Sequence, residues 1–324
     1  MHLNNKNLTK KILSWYDNNK RTLPWRIGQK SKKKHYYRVL SEFMLQQTQV
    51  KTVIPYFNNF VKKIPNLKAL SKSKEKTIIK LWEGLGYYSR AKNLHKTSKL
   101  LINKYNGQIP KNLIQLKELP GIGDYTANAL LALVYNQPRV ALDGNVKRVL
   151  FRLFNSNSGE EANLFITERN GDLAEALMEF GALVCKAKDP RCGECEIRKM
   201  CNYYISESKI KFERKTKIQL ISYDIFCYLK KNKKQIALTQ NNNLGFLKKF
   251  NLPKIKKRSK INKNWKFLCN YKNSISNKKL NINLYYRFSS KIPRNYNWYS
   301  LNKNKEFIPS FTKKIFRQVS FLYQ

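Results

Sequence analysis

Acidic residues are scarce in this chain of 324 amino acids: 20 Asp and Glu stand against 65 Lys and Arg, a formal charge of +45. Most cations therefore have no internal partner, and polyanions, nucleic acid foremost, are the partners such a surface suits. Long apolar runs are missing as well. The longest, Ala129–Tyr135, has seven residues, far short of the roughly 20 that span a bilayer, so no membrane protein is expected. The N-terminus, MHLNNKNLTKKILSWY, lacks the apolar core of a secretory signal, which makes a cytoplasmic protein the expectation. No internal repeat is visible, and β-branched alternation is scarce through residue 205, so that part is read as helical.

The cation surplus also has a bland source. There are 50 Lys, only 15 Arg, and 36 Asn, residues that an AT-rich genome favours. A duplex binder that neutralises about 6–10 phosphates accounts for only part of the excess. Hydrophobic residues make up 42%, ample for a core, and the length suits two domains. Residues 1–205 are expected to form a mainly α domain. Segments such as Ser41–Lys63 and Tyr125–Tyr135 carry apolar residues at three- and four-residue spacing, with prolines mostly where helices start or stop. Residues 206–219 are polar and aperiodic and read as a linker. Residues 220–324 then read as a small α/β domain, with a hairpin from Tyr223–Leu229 and Gln235–Leu238 and an alternating strand at Asn281–Tyr286. Residues 1–205 hold 36 basic and 16 acidic side chains; residues 206–324 hold 29 and 4.

Two local patterns carry chemistry. Leu119–Ala127 (LPGIGDYTA) lies between an amphipathic segment, Lys111–Glu118, and the helix expected from Tyr125. This is a helix–hairpin–helix: Gly121 and Gly123 allow a tight turn and close approach, and the next helix N-terminus offers free N–H groups to a phosphate. Such a device grips DNA backbone without reading sequence. The second pattern is Cys185-x6-Cys192-x2-Cys195-x5-Cys201, four of the six cysteines. Without a secretory signal such a cluster reads as a metal or iron–sulfur site rather than a disulfide framework. Zinc more naturally uses two CxxC pairs, and here only one pair has that spacing; the uneven loops suit a [4Fe–4S] cluster. Arg191, Arg198 and Lys199 in this loop would present positive charge to phosphates.

The helix–hairpin–helix, then Leu142-Asp143-Gly144-Asn145-Val146, then the 6-2-5 cysteines resemble the iron–sulfur DNA glycosylases of the helix–hairpin–helix superfamily. Within it, Leu23-Pro24-Trp25-Arg26, the run SEFMLQQTQV from Ser41 to Val50, and Gly84–Ala91 (GLGYYSRA) resemble the A/G-specific adenine glycosylases, the MutY family, nearly residue for residue. The resemblance runs from about Leu13 to Cys201. It implies a glycosylase fold with a [4Fe–4S] cluster on the four cysteines, followed by a Nudix-like domain. It further implies a monomeric enzyme of base-excision repair acting on duplex DNA that contains adenine opposite 8-oxoguanine or guanine. The endonuclease III branch places a lysine two residues after the GxG to form a Schiff base. Here that residue is Tyr125, so a monofunctional glycosylase is expected. The rivals are an endonuclease III-like pyrimidine glycosylase/lyase and a helix–hairpin–helix protein that only binds DNA.

The same resemblance distributes the work. Glu42, in the otherwise apolar run VLSEFML, is assigned the proton for the departing adenine; burial would raise its pKa. Asp143 is assigned the developing oxocarbenium ion, as an ion pair or through a covalent sugar intermediate, and its bland role would be a helix N-cap. Tyr125 and Asn145 support these carboxylates. Trp25, Arg26, Leu45 and Glu175 line or address the adenine pocket, and Gln47 and Tyr87 enter the helix beside the displaced base. In the C-terminal domain the match is faint. Leu247 and Lys248 stand where small residues are usual. Of the Phe-Ser-His element that contacts 8-oxoguanine, only Ser276 survives, in Ile275-Ser276-Asn277.

Overall fold

The computed structural model describes residues 5–28, 31, 33–156, 161, 165, 167–206, 219–242, 244, 247, 250–257, 261–275, 278–302 and 307–323. The chain forms two compact units, Met1–Glu213 and Arg214–Gln324. Most of the expected linker, residues 207–218, lies outside the described residues.

The first unit is helical, with α1 (Asn5–Asn19), α2 (Lys34–Leu45), α3 (Val50–Lys63), α4 (Leu67–Lys72), α5 (Glu75–Leu81), α6 (Ser89–Tyr105), α7 (Leu113–Lys117), α8 (Asp124–Tyr135), α9 (Gly144–Phe154), α10 (Asn170–Leu183) and α11 (Asn202–Ile205). Spacing explains the packing. Leu8, Ile12, Trp15 and Tyr16 fall on one stripe of α1 and are buried against Val149 and Leu153 of α9 and Leu173, Leu177 and Phe180 of α10. Trp15 meets the Phe180 ring edge-on at 5.0 Å, a geometry that adds to the burial itself. Helices α6, α8 and α9 all end on an asparagine in the left-handed conformation, Asn106, Asn136 and Asn155. After glycine, asparagine tolerates that backbone best. Among the described residues no helix is long and apolar enough to cross a membrane.

Three expectations need correction. Ser41–Lys63 is not one helical run. Helix α2 stops at Leu45, and a turn through Gln47, at φ 57°, leads into α3. The buried Arg90 guanidinium fixes this break by donating to the carbonyls of Phe43 (3.2 Å), Met44 (2.8 Å) and Gln46, which satisfies the free C=O groups of the helix end. The segment Lys111–Glu118 shrinks to the five-residue α7, capped by the Asn112 side chain. Pro55 lies inside α3 rather than at its boundary.

Among its described residues the second unit is a small mixed sheet with one α-helix. Its strands are β1 (Gln219–Lys230), β2 (Gln235–Leu238), β3 (Lys254–Lys256), β4 (Lys266–Ile275), β5 (Lys278–Phe288) and β6 (Asn297–Ser300), followed by α12 (Ser310–Ser320). The sheet runs β4-β5-β1-β2-β6, with β3 also pairing β1. β1 and β2 form an antiparallel hairpin; β1 and β5 are parallel along eleven paired positions. One face of β1 and β5, including Ile225, Cys227, Leu229, Ile282 and Leu284, packs with Ile315, Phe316 and Val319 of α12. The bulky Leu247 is buried in this same core; Lys248 lies outside the described residues. The other face carries Phe226, Tyr228, Tyr285 and Arg287, with Trp265 packed edge-on to Phe226 and Tyr228 at 4.9 Å each.

Candidate active site and cysteine pocket

Glu42 sits on the third turn of α2 and is buried, at 4% exposure. Its Oε2 has no hydrogen-bond partner among the described residues. Burial pushes its carboxyl up to about 7, opposed by Arg38 and by the Tyr125 phenol in hydrogen-bonding reach, and reinforced by Glu175 and Asp143. A carboxyl in this state holds a proton near neutral pH and can still release it, which is what a general acid needs.

Asp143 is held quite differently. It caps α9, where Oδ1 accepts from the backbone N–H of Asn145 (2.8 Å) and Val146 (2.7 Å). Among the described residues its Oδ2 accepts only the Asn145 side-chain amide, at 3.1 Å, so that oxygen presents the charge. The capping role and the candidate catalytic role belong to different oxygens of one side chain. Asn145 is itself fixed: its Oδ1 accepts from Arg148 Nη2 at 3.0 Å, and Arg148 Nε donates to the Cys185 carbonyl at 2.9 Å. Gly181 lets α10 approach here, since a Cβ would stand 2.8 Å from Asn145 Cβ.

Tyr125, on the first turn of α8, is close enough to feel both carboxyls, and its hydroxyl also donates to Met178 Sδ at 3.7 Å. Burial drives its phenol well up, and Glu42 and Asp143 both push further in the same direction. It therefore stays a neutral donor. Glu42, Tyr125, Asp143, Asn145 and Glu175 are thus brought together from four stretches of chain. Glu175 of α10 accepts Arg38 Nη1 (2.6 Å) and Arg26 Nε (3.0 Å) on Oε1 and the Tyr16 hydroxyl (2.7 Å) on Oε2. Burial alone would raise Glu175, but Arg38 and Arg26 outweigh it and hold the carboxyl below its usual range. Arg26 continues to Glu179, which Arg21 also clamps with two bonds. Trp25 is buried edge-on to Phe57 at 5.3 Å, as wall rather than as a polar contact. Leu45 closes α2, half-buried.

The hairpin works as its sequence suggests at one glycine more than the other. Gly121 has φ 83°, and a Cβ there would collide with Asn93 and Phe43 at 2.8–2.9 Å. Gly123 is extended, with nothing within 4 Å of a Cβ; it precedes α8 without capping its N–H groups, leaving them open to an anion. Gln46 Nε2 ties the α2 end to this turn through Gly121 O (3.1 Å) and Thr126 Oγ1 (3.2 Å). Gln47 (φ 57°) and Tyr87 (φ 47°) are both exposed and both left-handed, a backbone state that non-glycine residues occupy at functional turns at a cost. Arg90 joins the two turns. Besides the α2 carbonyls it binds Leu85 O and Gly86 O at 3.2 Å, and its guanidinium lies 5.4 Å from the Tyr87 ring.

All four clustered cysteines line one pocket floored by Val149, Leu153, Phe180, Val184 and Ile197. Among the described residues no three His, Cys, Asp or Glu converge as for a single metal ion; the thiols surround a space instead. Burial, together with the neighbouring sulfurs, pushes Cys195 up to about 11, and Cys192 and Cys201 also rise. Four thiolates crowded together are unfavourable unless cations lie among them, and Arg152 Nη1 already donates to Cys185 Sγ at 3.3 Å. The donor set and its dry floor fit a thiolate-ligated cluster. The loop's positive charge is smaller than its sequence suggests: Arg191 pairs with Glu194 at 3.4 Å and Arg198 turns back to the Gly193 carbonyl, while Lys199 is exposed.

Residues 40–169 match the model of the HhH-GPD superfamily of base excision DNA repair proteins. Over 320 residues, 90% of each chain, the protein is 37% identical to the adenine DNA glycosylase of Buchnera aphidicola subsp. Baizongia pistaciae. The chain belongs to the adenine DNA glycosylase family. To the human adenine DNA glycosylase it is 36% identical over 207 residues, 59% of this chain and 38% of that one. The fold of a thermostable thymine-DNA glycosylase covers 62% of this chain and 97% of its own at 26% identity, with a TM-score of 0.57. An endonuclease III–DNA complex shares the fold at 21% identity and TM-score 0.52. As a member of the adenine DNA glycosylase family this protein is a base-excision repair hydrolase of N-glycosyl bonds, and DNA is its partner. Sequence reading passed over Arg38, Arg90, Arg148 and Tyr16. An arginine one turn before Glu42 in an apolar run was the available signal for the first.

Proposed function

We propose that the protein removes adenine mispaired with 8-oxoguanine or guanine, by hydrolysis and without strand cleavage. The observation that carries this reading is the pair of unlike carboxyls: a buried Glu42 held near neutrality and an Asp143 anchored in a polar cap, both acting on Tyr125. The bond that breaks joins the sugar C1′ to adenine. Glu42 gives its proton to the leaving base at N7, while Asp143 Oδ2 faces the positive charge that develops on the sugar. Water then adds to C1′, and its proton restores Glu42. Residues at the position of Tyr125 cannot form an imine unless they carry an amine, which supports a monofunctional reaction. Arg26, Glu175, Trp25 and Leu45 are assigned to the extruded base, Gln47 and Tyr87 to the gap it leaves, and the Gly121–Gly123 hairpin to the backbone.

Cys185, Cys192, Cys195 and Cys201 would hold a [4Fe–4S] cluster, whose iron–thiolate bonds would tie the loop to the chain just after α10. Residues 1–205 are read as the glycosylase domain and 220–324 as a reduced Nudix-like reader of the opposite base, joined by 206–219. Ser276, the remnant of its lesion contact, lies between β4 and β5 and outside the described residues. The test is single-turnover excision from duplexes with adenine opposite 8-oxoguanine, G, C or T, with borohydride trapping on abasic DNA. Excision opposite 8-oxoguanine and G without trapping is expected. No adenine release by the brown holoprotein would leave a binder only, and efficient trapping would make it a lyase.

A further inference from the structure

The buried polar network behind Glu42 carries one charge more than its own stability needs. Three guanidiniums, Arg21, Arg26 and Arg38, meet two carboxylates, Glu175 and Glu179. Glu179 is satisfied by Arg21 and Arg26, and Glu175 would be satisfied by Arg26 Nε and the Tyr16 hydroxyl alone. Arg38 adds a third donor to Glu175 at 2.6 Å, although its side chain is buried and its Nε finds no partner among the described residues. Burying a surplus guanidinium this way is costly rather than stabilising. What distinguishes Arg38 is its place. It stands four residues before Glu42 on α2, so the two side chains lie on the same helix face one turn apart. The orphaned Nε of one and the orphaned Oε2 of the other are thus on successive turns of that face.

The leading influences on Glu42 come from four segments of the chain. They are Arg38 on its own helix, Tyr125 from α8, Asp143 ahead of α9 and Glu175 from α10. Two are carboxyls and one is a phenol, so Arg38 is the cation of the set. We propose that Arg38 is a positioning residue for the glycosylase reaction: it holds Glu175 in place and sets the electrostatic surroundings in which Glu42 exchanges its proton. Burial and two carboxylates without an opposing charge would make Glu42 too weak an acid to protonate a leaving purine at neutral pH. Arg38 offsets them while leaving Glu42 protonated when the base arrives. The directions agree with the geometry: Arg38 is the leading influence that lowers Glu42, and also the leading one that lowers Glu175.

The inference rests on the reading of Glu42 as the acid, and the experiment separates the two. Single-turnover adenine excision by the full chain is followed from about pH 5.5 to 9.5 for wild type, Arg38→Met, Arg38→Lys and Glu42→Gln. Arg38→Met should move the alkaline limb up by about one pH unit and slow excision at neutral pH roughly tenfold. Arg38→Lys, which keeps the charge, should return the limb close to wild type. Should Arg38→Met fail to fold, Arg38→Gln retains a donor for Glu175 without charge, and the same shift is expected of it. A neutral variant that loses melting temperature and rate with its limb unmoved would make Arg38 merely structural and overturn the proposal. So would a lysine variant displaced as far as the neutral one. If instead Glu42→Gln excises normally, the acid assignment itself fails.

Discussion

The two units handle charge in opposite ways. In Met1–Glu213 the decisive carboxyls are placed one by one: Glu175 and Glu179 are buried against three arginines, the half-buried Asp143 caps a helix end, and Glu42 is buried with one oxygen unpartnered among the described residues. Among the described residues of Arg214–Gln324 the cations are mostly lysines on exposed positions, and Asp224 is buried, its Oδ1 accepting Asn283 Nδ2 at 3.0 Å. The one conspicuous arginine there, Arg287, stacks on Tyr228 and Trp265 at 4.5 and 4.9 Å. A charge acquires a specific job when burial removes water as its alternative partner. An exposed charge contributes to a field that any polyanion feels. The exposed lysines described in the second unit are of the second kind, and the smaller surplus of the first domain conceals chemistry of the first kind.

The sharpest way to break this contrast is Glu42→Gln. Single-turnover excision should fall about 10²–10⁴-fold, with duplex binding retained. The stability effect should have the opposite sign. Glu42 titrates near 7 in the fold against an ordinary 4.5, so its ionisation penalises the folded state as pH rises from about 4.5 through 7. Glu42→Gln should therefore melt above wild type at pH 8, by roughly 3 kcal/mol at most, and match it near pH 4. Equal melting at both pH values would show that the buried charge carries no penalty.

Asp143 offers a finer dissection, since its two oxygens divide its roles. Asparagine caps a helix about as well as aspartate, so Asp143→Asn should lose excision rate with little change in melting. Asp143→Ala should lose the same activity and about 1 kcal/mol of stability as well. A rate retained in Asp143→Asn would show that the cap alone matters.

The four-cysteine pocket makes the next prediction. Cys195→Ser or Cys201→Ser should lose absorbance near 400 nm (about the range of thiolate-bound iron) and melt well below wild type. Stoichiometric zinc in a colourless wild-type protein would replace the cluster assignment. The smallest effect belongs to the second unit. A chain ending at residue 213 should bind duplex with a shallower salt dependence, about 0.9 less in log–log slope for each phosphate contact removed. An unchanged slope would show that the +25 engages no phosphate.

Legibility followed the same division. The hairpin glycines, the cysteine spacing, Glu42 and Asp143 stand in short contiguous motifs, because each such device must be built by neighbours in the chain. The β1–β2 hairpin and the β5 strand were readable from alternation. The break after Leu45 was not, because it depends on Arg90, some 45 residues downstream, reaching back to three carbonyls. Arg38 was unread for a similar reason: nothing near it in sequence says that Glu175 waits 137 residues away.

By itself the sequence determined the kind of chemistry this protein can do: which side chains can donate a proton, carry a charge, ligate iron or grip a phosphate, and the local frames that hold them. Only the tertiary structure decided their states. Glu42 becomes an acid of about 7 because the packed fold takes it out of water, and Glu175 stays charged because two arginines from different segments converge on it. Ionisation depends on what replaces water around a group, and those neighbours are chosen by packing between segments distant in the chain.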